Sequence, residues 1–182
     1  MMRGLRPFLR DARGAAAAEM ALMLPLLVVM LFVTFEGGYF LWNEHKVVKG
    51  VRDGARYAGR LDFSKYGCGV EDDPLTEEDE GVPASVDGAV IGSIKNLTRT
   101  GRLTGGTAAV AGWQDAHVAV SVNCATGQGG LYDSVSGNAP RVTVDASVPY
   151  PSSPLTDLVG VLGFDTTGIS LNASAQSAVM GL

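Results

Sequence analysis

The sequence predicts an α+β protein: one long N-terminal helix, membrane-crossing in its first half, packed on a small antiparallel sheet. Three observations predict it. Residues 15–35 form an apolar run of membrane length. An apolar stripe with helical spacing continues to about residue 60. Three later segments alternate apolar with small or polar residues, as half-buried strands do.

The run reads AAAAEMALMLPLLVVMLFVTF, 21 residues with a single charge, Glu19. At ~1.5 Å per residue such a helix spans roughly 31 Å, about one hydrocarbon core. A secretory leader has a shorter apolar core followed by a small-x-small cleavage site. Here the run is followed by Glu36-Gly37-Gly38-Tyr39-Phe40-Leu41-Trp42, which offers no such site. Charge gives the direction. Residues 1–14 carry Arg3, Arg6, Arg10 and Arg13 against Asp11, whereas residues 15–182 carry 10 basic and 18 acidic side chains. Basic flanks stay cytoplasmic, so the N-terminus is expected inside and the acidic body outside. Two residues in the run are unusual. Pro25 removes a backbone donor, and Glu19 places a carboxylate in an apolar segment, where charge is expensive and marks function by default. The plain alternative is a shallow Glu19 that reaches the headgroups.

Beyond the run, Phe40, Val47, Val51, Ala55 and Ala58 recur at helical spacing, with Glu44, Lys46, Lys49, Arg52, Asp53 and Arg56 mostly on the other sides. Gly37-Gly38, Gly50 and Gly54 weaken this helix locally, and the Gly37-Gly38 pair is a candidate bend. A second helix is expected over Pro83–Leu97, with Val86, Val90, Ile94 and Leu97 on one face. Strands are expected at His117–Cys124, Arg141–Tyr150 and Ile169–Ala175. Between the last two, Ser153-Pro154 is a cap-then-proline helix start and Gly163 a stop.

Composition narrows the function. The net charge of −5 argues against a nucleic-acid binder, which presents a basic face. Two His and two Cys leave little for a zinc site. No G-x-S-x-G, P-loop, H-E-x-x-H or C-x-x-C occurs, so no enzyme, no cofactor and no metal centre are expected. In Glu71–Glu80, seven of ten residues are carboxylates. Hard cations take clustered carboxylates, but the spacing fits no EF-hand loop and a solvated acidic loop is the favoured reading. An acidic body outside the inner membrane meets an oxidising compartment. With only two cysteines, Cys68–Cys124 is the expected disulfide, against two unpaired buried thiols.

Arg13-Gly14-Ala15-Ala16-Ala17-Ala18-Glu19-Met20 resembles the class III signal peptide of type IV pilin-like proteins. With Ala21-Leu22, Leu24-Pro25 and Gly54-Ala55-Arg56-Tyr57-Ala58, residues 10–60 are similar to the opening of the TadE-like family of minor pseudopilins. Met20 departs from the Phe or Tyr usual there. The resemblance implies a pilin-like fold and a structural role in initiating or assembling a tight-adherence (Flp/Tad) pilus. It implies cleavage by a prepilin peptidase between Gly14 and Ala15, and an assembly role for Glu19 in pairing with the new N-terminal amine. Its implied partners are that peptidase, other minor pseudopilins, the major Flp pilin and the inner-membrane platform. The expected organisation is a basic leader (1–14), a transmembrane helix (15–36), its extracytoplasmic extension (37–60) and an α+β domain (61–182), single-pass in a bacterial inner membrane. The alternative is a membrane-anchored extracytoplasmic binding domain that never enters a filament.

Overall fold

The computed structural model describes residues 14–68, 82–125, 127, 130, 139–161, 163 and 168–181. The acidic segment 71–80 lies outside them. The first element is α1, Ala15–Ala58, 44 residues that run unbroken through Pro25 and through Gly37-Gly38. After a 3₁₀ turn at Phe63–Lys65 come β1 (Tyr66–Cys68), β2 (Val82–Val86) and α2 (Gly88–Thr100). A second 3₁₀ turn, Asp115–His117, leads into β3 (Val118–Ala125), followed by β4 (Ala139–Pro149), α3 (Pro154–Val161) and β5 (Ser170–Ala178). The fold class is α+β, as expected. The strands form one antiparallel sheet in the order β1-β2-β3-β4-β5, each paired with its sequence neighbour.

The chain divides into two compact units, one ending at Phe40 and one comprising Leu41–Leu182. In the second unit the sheet's alternation sorts core from surface. On β4, Pro140, Val142, Val144, Ala146 and Val148 are buried while Arg141, Ser147 and Pro149 are exposed. Val118 and Cys124 on β3 and Leu171 on β5 are buried as well. From the helices come Val47, Val51, Ala55 and Ala58 of α1 and Ile94 and Thr98 of α2; Tyr66, Val110, Trp113 and Val179 are buried with them. The expected stripe on the outer half of α1 is thus the buried one, with half-buried Phe40 at its start.

Gly50 and Gly54 have a structural purpose. A Cβ on Gly50 would strike the Thr98 carbonyl oxygen, and one on Gly54 the Thr98 Oγ1. Two glycines one turn apart therefore let α1 approach α2 at backbone distance, which offsets their low helix propensity. The end of α1 is tied down by Tyr66, whose hydroxyl donates to the Ala58 carbonyl at 2.7 Å, and by Met180, whose N–H donates to the Gly59 carbonyl at 2.9 Å.

Two expectations change. The helix expected over Pro83–Leu97 is a strand, Val82–Val86, and then a helix, Gly88–Thr100. Asp87 makes the break: its carboxylate accepts from the Ala89 N–H at 2.9 Å, an N-cap that starts the helix there. Among the described residues the sheet has five strands rather than three, because β1 and β2 add to the three expected ones. The α3 start stands as read: the Thr156 N–H donates to the Ser153 Oγ at 3.1 Å.

Candidate functional site: the N-terminal half of α1

Gly14 and Ala15 stand at the start of α1. Gly14 is exposed, and among the described residues nothing lies within 4 Å of where a Cβ would be. No packing contact among the described residues therefore demands glycine at that position. Glu19 is exposed on the helix four residues after Ala15, one turn away, so positions 15 and 19 share a helix face. Gly14, Ala15 and Glu19 thus lie within the first turn and a half of one element.

From Met20 to Phe35 the helix is apolar and exposed on every side. An 18-residue window within it has a mean hydropathy of 2.3 and none of it is buried, so α1 is long and apolar enough to cross a membrane. One polar side chain in the run is satisfied within the helix itself. The Thr34 hydroxyl donates to the Met30 carbonyl at 2.8 Å, one turn back. Pro25 has no N–H, so the carbonyl one turn before it loses its helical donor. Where the run ends, amphipathic side chains begin: exposed Tyr39 and Trp42, with the Lys46 ammonium 5.4 Å from the Trp42 ring centroid. Aromatic and cationic residues of this kind favour membrane–water boundaries.

Among the described residues, an open groove of about 510 Å³ lies on the outer face of the sheet. Ala119, Asp145 and Ser174 line it in register across β3, β4 and β5, with His117 at one end. The His117 Nδ1 accepts the Gln114 N–H at 3.1 Å, closing the turn before β3. That contact gives the imidazole a structural part in the turn before β3. Among the described residues no group of three His, Cys, Asp or Glu could hold a metal ion. Cys124 is fully buried and disulfide-bonded. Cys68 lies in β1 opposite Ala84 of β2, and Cys124 in β3 opposite Val82 of the same strand, while β1 and β3 also approach each other directly.

Sequence reasoning did not find the close packing of Gly50 and Gly54 on Thr98, because the partner lies more than 40 residues away in sequence. It did not single out Tyr66 either, whose isolated position carries no periodic signal.

No curated protein and no solved structure matches the chain. A family model does match, over residues 14–56. The match begins at Gly14 and covers nearly all of α1. That N-terminal segment is similar to the family described as TadE-like protein.

Proposed function

We propose that the protein is a minor pseudopilin of a Tad/Flp pilus system, with a structural role in pilus initiation or assembly. The observation that carries this reading is that the TadE-like match opens at Gly14, where α1 begins and one turn before Glu19. On this reading a prepilin peptidase cuts between Gly14 and Ala15. The glycine serves the peptidase, which needs close access to the backbone. Open space around Gly14 among the described residues supports this, since no packing contact there requires a glycine. Cutting removes four arginines and frees an amine at Ala15, with a pKa of ~7.7–8.0 before any perturbation. That cation and Glu19 are then the charges at the end of an apolar helix. In a low dielectric an unpaired charge is costly, so the amine of one subunit meeting the Glu19 carboxylate of the next would fix their axial register.

The remaining partners are other minor pseudopilins, the major Flp pilin and the inner-membrane platform. The arginine leader places the N-terminus in the cytoplasm and the body outside. There the buried, bonded Cys124 finds its partner in Cys68. Intact mass without reductant tests this pair: two alkylatable thiols in the folded protein refute it.

Two substitutions separate the two roles. Gly14→Leu should leave the chain fourteen residues longer in cells that carry the peptidase. Glu19→Ala should leave cleavage intact but weaken association with other pseudopilins and reduce piliation. Wild-type complexes and pili in Glu19→Ala would sink the assembly role. The competing reading, an anchored binding domain outside any filament, draws on the open groove at Asp145. It predicts that neither substitution changes the protein's mass or its complexes.

A further inference from the structure

β5 is an edge of the sheet: among the described residues it pairs with β4 on one side and with no strand on the other. Its backbone direction follows from the ends of the β4–β5 ladder. The Val179 N–H donates to the Pro140 carbonyl and the Tyr150 N–H to the Ile169 carbonyl, both at 2.9 Å. In an antiparallel pair every second residue bonds inward, so Leu171, Ala173, Ala175 and Ser177 face β4 with their backbone groups. Asn172, Ser174 and Gln176 direct their N–H and C=O groups the other way, to the open edge. All three are exposed, and among the described residues none of these backbone groups has a partner. Past them the edge is closed. The Ser177 Oγ donates to the Ala178 carbonyl at 3.3 Å, and a Cβ on Gly59 would come within 2.8 Å of that oxygen.

Sheet edges are usually blunted by charge, proline, a bulge or short length. β5 reads SLNASAQSA, nine residues with no charge and no proline, paired in continuous register. β1, the opposite edge, has three residues. An open edge like that of β5 matches an extended backbone, whose donors and acceptors repeat at the same interval.

The groove on the outer face reaches this edge, since Asn172 and Ser174 line it. Asp145 lies in the same groove, paired in register with Ser174. It is half-buried, and among the described residues its carboxylate has neither a cation nor a hydrogen-bond donor. A strand added to β5 would set alternate side chains on that outer face, two strand spacings of ~4.8 Å from Asp145. The small Ser174 is the side chain between them. A long Lys or Arg stem lies over such a residue and carries its charge to the carboxylate. β5 itself contains no basic residue, so two copies pairing edge to edge through β5 would leave Asp145 without a cation.

We propose that the open edge of β5, residues 172–176, is a strand-addition site for an extended segment of a partner protein. That segment sets a Lys or Arg across Ser174 onto the Asp145 carboxylate. Backbone pairing supplies the affinity and the charge pair the choice of sequence. The site goes beyond the assembly role proposed above. It depends on neither cleavage after Gly14 nor entry into a filament, so either reading can fail alone.

The test is selection from a displayed library of random peptides on the full chain in lipid nanodiscs, followed by titration of an enriched peptide. Enriched peptides should carry a Lys or Arg at one fixed position within an extended pattern. Asp145→Asn should weaken that peptide at least tenfold, and replacing its basic residue by norleucine should cost the same factor with no further loss in Asp145→Asn. Methylating the peptide's backbone nitrogens one at a time should abolish binding at alternate positions and be tolerated between them. Ser174→Pro removes an outward N–H and spares the β4 ladder, so it should abolish binding with the melting temperature near wild type, while Ser174→Ala binds normally. If Ser174→Pro does not fold, the methylation pattern decides, since it leaves the protein untouched. A library that yields no peptide, unchanged affinity in Asp145→Asn, or uniform tolerance of methylation would each overturn the proposal. So would self-association of the full chain that the peptide displaces, which would make a second copy the occupant.

Discussion

The two halves of α1 belong to one continuous helix and solve opposite problems. From Met20 to Phe35 the side chains are apolar all round except for Thr34, and all are exposed. From Asn43 to Ala58 one stripe is buried and the opposite one is cationic. A helix without a polar face meets its solvent on every side, and hydrocarbon is the solvent that suits Leu, Val, Met and Phe. A helix with two faces has a protein on one side and water on the other. The glycines follow the same division. Gly37 and Gly38 have open space where a Cβ would go, whereas Gly50 and Gly54 press on Thr98.

Charge breaks this comparison most severely. Val51→Arg should bury an unpaired cation in the body and cost about 3–5 kcal/mol, enough to lose a cooperative melt. Leu27→Arg should leave the body folded but weaken membrane insertion by about 2.5–3.5 kcal/mol, read as protein recovered outside the membrane fraction. If Val51→Arg melted like wild type, the buried face would be misplaced. If Leu27→Arg still inserted fully, the apolar half would not be a span.

Glycine replacement comes next. Gly50→Ala should push the Thr98 carbonyl aside and cost about 1–3 kcal/mol of body stability by denaturant titration. Gly37→Ala should leave the body unchanged, with helix propensity improved by ~1 kcal/mol. Equal effects at the two sites would remove the distinction between them.

The smallest effect is at Tyr66, where burial pushes the phenol up to about 12. Its hydroxyl donates to Ala58, so only the neutral form makes the bond. A raised folded-state value means this stabilisation is complete below the ordinary value of 10.0 and is lost as pH rises through about 12. Tyr66→Phe should cost ~1 kcal/mol at neutral pH and should flatten the stability profile over that alkaline window. An unchanged profile would mean that another group sets it.

Legibility in the sequence follows how local each signal is. The alternation on β3, β4 and β5, the Ser153-Pro154 start and the stripe from Val47 to Ala58 depend on neighbours a few residues away, and all were legible. The segment Pro83–Val86 was misread because Val86, Val90 and Ile94 continue a helical spacing across the strand–helix junction. Asp87, a good N-cap residue, was the available stop sign. β1 and β2, three and five residues long, are too short to declare a period. They exist through pairing with each other and with β3. The candidate site was legible from Gly14, Glu19, Pro25 and the run around them, since all lie on one element. The glycine contact with α2 was not, because it joins residues far apart in the chain.

The most direct test of the account is the mature N-terminus of the protein recovered from cells that assemble the pilus. N-terminal sequencing or intact mass should give a chain that starts at Ala15, fourteen residues shorter than the full sequence. A chain that still starts at Met1 or Met2 in cells with an active prepilin peptidase would contradict it.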